Sequence, residues 1–274
     1  MRTHQLIFTA CLLTSPSFAD LADFYVAGSD SRIYSVDGQT LQATEIFQID
    51  RNGQVGINEI LFTGGDTMLA NIGGQLVQYD MSTGEQVTIL NLGDHYDSGF
   101  QLAGGLARTL DDRIAFSVYE ALDPSGVRRA FGLYDPFTGS YETIVNQSDR
   151  GSAYFDVYQH SADVMLGASN ARDFPNLGSI EVVNTTDGSL IERYMFEFEP
   201  VSFLELGDQL YILDKMSGLH TFDPTTGQST FYGSVDGVPY SIGATSNIAF
   251  RIPAPGVPMT LVLGGLLVTR RQRG

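Results

Sequence analysis

Along the chain, hydrophobic and polar residues alternate over short runs, and turns rich in Gly, Asp, Asn and Thr separate them. Phe24 to Ala27, Arg32 to Val36, Thr67 to Ile72, Gln75 to Tyr79 and Leu219 to Phe222 are runs of this kind. A period of two sends successive side chains to opposite faces of a strand, so the pattern predicts short strands and tight turns rather than helices.

One strand-turn unit recurs. Runs ending at Asp37, Asp80, Asp135, Asn184 and Asp223 are each followed by a turn, and in all but the first a Gly stands four residues on, at Gly84, Gly139, Gly188 and Gly227. The Asp or Asn side chain can cap the turn amides, while Gly takes the left-handed position that closes the hairpin. Asp37-Gly38-Gln39-Thr40 reads as a degenerate copy lacking that four-residue form. The marked residues lie 43, 55, 49 and 39 residues apart. Four short strands per unit at a period near 40 resembles a β-propeller repeat domain, with the strands of each blade running outward from the axis.

Unit two reads as Asn58 to Phe62, Thr67 to Ile72, Gln75 to Tyr79 and Gln86 to Leu90. Unit one lacks its innermost strand. Ser246 to Phe250 matches Asn58 to Phe62, and joining it to the start of unit one restores a period of 42. The expectation is an all-β, five-bladed propeller closed by N- and C-terminal strands over residues 20–251, with six blades as the alternative because the 55-residue unit is long. Such closure leaves no sheet edge open within the first blade.

Extra residues gather between the second and third strands, at Glu120 to Arg129 in unit three and Asn170 to Leu177 in unit four. Loops at that position open on the same face as the connections between blades, and insertions confined to one face of a repeat scaffold mark a binding face. This predicts a binding surface of Asp123, Arg128, Arg129, Arg172, Asp173, Phe174 and Asn176. In an inter-blade loop, Asp94 and Asp97 are candidate ligands for calcium. Glu59, Asp156 and Glu205 fall on or beside inner strands, where carboxylates could converge on the axis as the acid and base of a glycan hydrolase.

Charge and composition narrow the partners. With 15 Lys plus Arg against 32 Asp plus Glu the net charge is −17, and Lys215 is the only lysine. Nucleic acid, whose binding needs clustered cations to displace counterions, is excluded as a partner. The sole cysteine, Cys11, lies in an N-terminal segment with a basic Arg2, an apolar Leu6 to Leu13 run and small residues up to Ala19. These features predict a signal peptide over residues 1–19, removed by signal peptidase, and a mature chain without thiols.

At the other end, Pro253-Ala254-Pro255-Gly256 precedes an apolar run from Val257 to Val268 and the cluster Arg270, Arg271, Arg273. This order resembles the PEP-CTERM sorting signal, in a Pro-Ala-Pro-Gly variant, since Ala254 stands where that family usually has Glu. The resemblance covers only residues 252–274. It implies an apolar sorting helix, transient inner-membrane association with the arginines held on the cytoplasmic side, and processing near the proline motif by an exosortase-like enzyme. Without Arg2 and the three tail arginines the charge moves from −17 to −21, and a strongly acidic surface favours solubility outside the cell. Together these features predict an exported, cell-surface or matrix binding module for a glycan or protein, with an extracellular glycan hydrolase as the alternative.

Overall fold

The computed structural model describes residues 21–49, 57–72, 75–91, 100–122, 126–146, 153–170 and 177–246, with backbone alone at 100–103, 120–122, 126–128, 170 and 246. The expected signal peptide, the sorting tail with its helix, and residues 247–251 lie outside the described residues. Within them, twenty strands form five four-stranded antiparallel sheets. Blade 1 combines β20 (Ser241–Ser246) with β1 (Phe24–Gly28), β2 (Arg32–Val36) and β3 (Ala43–Gln48). Blade 2 runs β4 (Ile57–Gly64), β5 (Thr67–Ile72), β6 (Gln75–Asp80) and β7 (Gln86–Asn91). Blade 3 runs β8 (Phe100–Arg108), β9 (Ile114–Leu122), β10 (Gly126–Tyr134) and β11 (Tyr141–Val145). Blade 4 runs β12 (Asp156–Ser161), β13 (Val164–Asn170), β14 (Gly178–Asn184) and β15 (Leu190–Phe196). Blade 5 runs β16 (Pro200–Leu206), β17 (Gln209–Asp214), β18 (Gly218–Phe222) and β19 (Ser229–Ser234). The chain is a five-bladed β-propeller.

The ring closes with a C-terminal strand, but upstream of the expected one. Phe24 pairs with Ser246, Val26 with Ala244 and Ala27 with Gly243. Matching Ser246 to Phe250 with Asn58 to Phe62 by bulk selected residues too large for this place. A Cβ on Gly243 would lie 2.0 Å from Glu59 Oε1 and 3.0 Å from Glu59 Cα, so the closing strand must be small where blade 2 crosses it.

The 55-residue unit contains no sixth blade. Its length goes into β8, β9 and β10, each of nine residues, and most of Glu120 to Arg129 is paired hairpin rather than loop, with Glu120 opposite Arg128 and Leu122 opposite Gly126.

The turn closing the third and fourth strands repeats in every blade. The side-chain oxygens of Asp80, Asp135, Asn184 and Asp223 accept the amide two residues on at 2.7–2.9 Å, and Gly84, Gly139, Gly188 and Gly227, all at positive φ, donate back to the marked carbonyl. The first copy has this form too, contrary to the sequence reading. Leu41 N donates to Asp37 O at 2.8 Å with φ of 56°, so a leucine takes the place of the glycine. Its side chain is buried with Val36 and Val235 in the core between blades 1 and 5, which offsets the strain of that backbone.

Five hydrophobic clusters lie one at each blade interface. Inner strands such as β4 are buried on both faces, at Ile60, Leu61 and Phe62, whereas fourth strands such as β15 face solvent along most of their length.

Candidate functional site

The inner strands β20, β4, β8, β12 and β16 surround the axis, and each contributes one residue to a common layer: Gly243, Glu59, Gly105, Asp156 and Ser202. Two small residues make room for two acids. A Cβ on Gly105, which has φ of 68°, would stand 3.1 Å from Asp156 Cα, as one on Gly243 would crowd Glu59.

Asp156 is sealed in this layer. Its Oδ1 accepts Val157 N at 2.7 Å, and its Oδ2 accepts Phe203 N at 2.7 Å and Ser202 Oγ at 3.1 Å. Burial raises its carboxyl to about 7 despite these donors. Glu59 Oε1 accepts Ile60 N at 3.0 Å. Burial first, then the charge of Asp156, pushes the Glu59 carboxyl well above the usual carboxylate range. Ser202 links the two sides of the axis, accepting Ala244 N at 3.0 Å while it donates to Asp156.

Of the three acids expected at the axis, the structure therefore brings Glu59 and Asp156 together and leaves Glu205 apart. Glu59 and Asp156 are 0% and 2% exposed, so no glycan reaches between them. Glu205 is exposed one layer away, with Tyr158 OH donating to its Oε2 at 3.2 Å. Burial, with Glu205 beside it, holds the Tyr158 phenol protonated far above its ordinary range.

The layer divides the axial channel into two depressions. On the face of the tight hairpins a funnel of about 420 Å³ is walled by residues of all five blades. Its depth is apolar, from Leu61, Leu106, Val157, Phe203 and Ala244, and its rim is polar, from Arg108, Gln159, His160 and Glu205. Leu110, 68% exposed, stands on the rim at the tip of the β8–β9 hairpin, with its amide donating to Gln159 Oε1 of blade 4 at 2.8 Å. Arg108 is engaged by Asp112 of the same hairpin. On the opposite face a smaller cavity of about 200 Å³ is lined by Asn58, Phe155, Glu199, Lys215 and Ile242 among others, and Lys215 pairs with Glu199 at 3.1 Å.

Sequence reasoning missed the funnel. The one signal was a bulky Leu110 at a turn otherwise made of Thr109, Asp111 and Asp112.

Arg129, expected on the binding face, is instead buried between blades 3 and 4. Its Nη2 donates to Glu181 Oε1 at 2.7 Å, and its guanidinium lies 5.1 Å from the centre of the Tyr154 ring. Glu181 also accepts from Arg193 at Oε1, and from Asn146 at 2.8 Å and Tyr154 OH at 2.7 Å at Oε2. A fully desolvated carboxylate demands this many partners, so Arg129 serves cohesion between blades rather than an exposed contact. Asp94, Asp97, Asp123, Arg172, Asp173, Phe174 and Asn176 lie outside the described residues, as do Pro253, Pro255, Gly256, Arg270, Arg271 and Arg273. Arg128 is placed on β10 by its backbone.

No protein-family model matches the sequence, and no curated protein matches it. Solved structures do. The chain is similar to one in the crystal structure of a nidogen/laminin complex at 10% identity and a TM-score of 0.50, covering 84% of this chain and 86% of that one. It is also similar to a protein of unknown function from Bacteroides caccae, at 9% identity and a TM-score of 0.49, covering 80% and 74%. At 10% identity the likeness to the first establishes the fold alone.

Proposed function

We propose that the chain is an exported binding module that holds a glycan or a protein segment in the funnel on its tight-hairpin face. The observation that carries this reading is the funnel itself. Its volume of about 420 Å³ falls within the ~300–1,000 Å³ of ligand pockets, and it combines an apolar depth with a few polar groups at the rim. A ligand with one apolar face and a hydrogen-bonding edge suits such a lining, and sugars and peptide side chains share that character. The burial of Glu59 and Asp156 speaks for binding over glycan hydrolysis, because the one carboxylate exposed in the funnel, Glu205, has no second carboxylate among the funnel's lining residues.

A second surface has an observation of its own. The β9–β10 hairpin is long and paired from Ile114 to Tyr134; with it goes the sequence-based proposal that Arg128, Arg172 and Phe174 contact a macromolecular partner, with Asp94 and Asp97 as a calcium-dependent addition. Export through a signal peptide cleaved after Ala19, membrane retention by the arginine tail, and release near Pro255 by an exosortase-like enzyme complete the proposal. Intact-mass analysis of material from the native cell surface should give a chain from Asp20 to about Pro255; a chain still carrying Arg273 contradicts it. Incubation on an array of glycans and short peptides should give retention without cleavage, and release of shortened glycan would favour the hydrolase.

A further inference from the structure

Glu59 lies opposite Asn71 in the β4–β5 ladder, so their side chains share one face of blade 2, Cβ atoms roughly 5 Å apart. That face also carries Leu61 and Leu69 and packs against blade 3. Both residues are 0% exposed. Glu59 Oε1 is taken by the amide of Ile60, but Glu59 Oε2 and both polar atoms of Asn71, Oδ1 and Nδ2, are buried without a hydrogen-bond partner in the protein. Three orphaned polar atoms on two neighbouring side chains are expensive, since each buried unpaired group costs about 1–3 kcal/mol.

Charge points the same way. The axial layer of Gly243, Glu59, Gly105, Asp156 and Ser202 contains two carboxyls and no basic side chain; Arg108 and Lys215 line the two outer openings. Two carboxyls in so little dielectric shielding coexist only if a proton neutralises one of them or a cation balances both. The free atoms of suitable chemistry, a carboxylate oxygen and an amide oxygen, are hard donors of the type that calcium takes, and calcium accepts irregular oxygen shells completed by water.

We propose that Glu59 Oε2 and Asn71 Oδ1 bind one calcium-sized divalent cation between blades 2 and 3 beside the axis, with Asp156 supplying the second negative charge from across the layer. The ion would leave Asn71 Nδ2 to a water of its shell. It sits below the funnel, behind Leu61 and Leu106, so its role is to lock the inner strands rather than to touch the ligand.

The test uses the full chain stripped of metal with chelator and titrated with calcium chloride, followed by calorimetry and by thermal melting. One ion should bind per chain at this site, and the melting temperature should rise in a saturable way. Glu59→Gln, which keeps shape and removes charge, should weaken binding at least tenfold, and Asn71→Ala should weaken it as well. Asp208→Asn, in the exposed β16–β17 turn, should leave it unchanged. Should Glu59→Gln fail to fold, Asn71→Ala decides alone. An unchanged affinity in the folded variants overturns the proposal and places the ion elsewhere, the Asp94–Asp97 loop first. Absence of any heat or thermal shift in the wild-type chain also overturns it, leaving a proton and water as the partners of these atoms.

Discussion

In four of the five blades a marked Asp or Asn and a glycine four residues later carry the outer hairpin, and the two do separable work. The carboxylates of Asp37, Asp80, Asp135 and Asp223 accept from turn hydroxyls and amides, which holds them below the usual carboxylate range. The glycine supplies backbone freedom alone. Gly84, at φ of 75°, has nothing within 4 Å of where a Cβ would stand, so Gly84→Ala has no packing consequence and its cost is conformational. It should lower stability by about 1 kcal/mol, read by denaturant titration. This is the scale at which the sequence is most legible, because cap and glycine are close in the chain and act locally. Leu41 shows the limit: its left-handed backbone is sustained by burial against Val235, a contact nearly 200 residues away that no local pattern announces.

Strands were legible wherever one face meets a core and the other meets solvent or a partner strand. β2 and β5 coincide with their expected bounds, and most others differ only by added terminal residues. Contacts between blades were not legible, since partners there are set by the ring rather than by spacing. Glu181 and Arg129 are 52 residues apart in the chain, and nothing near Arg129 distinguishes it from the neighbouring Arg128. Glu181→Ala should cost about 3–5 kcal/mol in equilibrium unfolding, because it removes the buried carboxylate that Arg129, Arg193, Asn146 and Tyr154 share. A loss below 1 kcal/mol would show that this carboxylate does not hold blades 3 and 4 together. The closing strand was placed too late for a related reason: proximity to Glu59, not bulk, decides which residues can occupy it. Deleting residues 241–246 should abolish cooperative melting, as blade 1 then loses its inner strand and opens an edge. Melting at the parent temperature would refute closure at that strand.

For the whole molecule, the axial layer makes stability depend on pH. Asp156 titrates near 4 when unfolded and near 7 when folded, so between those values the unfolded chain has released a proton that the folded chain still holds. Its contribution is fully present below pH 4, is lost as pH rises toward 7, and then levels; Glu59, shifted the same way, prolongs the decline. The turn aspartates act oppositely, their contribution disappearing as pH falls through their lowered values. Stability measured in chelator should therefore peak near pH 4–5. Over the alkaline limb Asp156 accounts for on the order of 4 kcal/mol, from about three units at about 1.36 kcal/mol each. Asp156→Asn should flatten that limb; an unchanged slope would assign it to general repulsion among the surface acids.

The axis was legible as far as Glu59 and Asp156 lying on inner strands. Their seclusion was not, because it depends on Gly105, Ser202 and Gly243 closing in from three other blades. With the carboxyls sealed, the account's central claim rests on the funnel, and comparing its two faces tests that claim most directly. The glycan and peptide array is probed with the parent chain, with a combined Leu110→Ala, Tyr158→Ala and Glu205→Gln variant, and with a combined Arg128→Ala, Arg172→Ala and Phe174→Ala variant, all shown to melt like the parent. The funnel variant should lose the parent's signal at least tenfold while the long-loop variant keeps it. Loss in the long-loop variant with the funnel variant unaffected would contradict the claim and move the ligand to the opposite face.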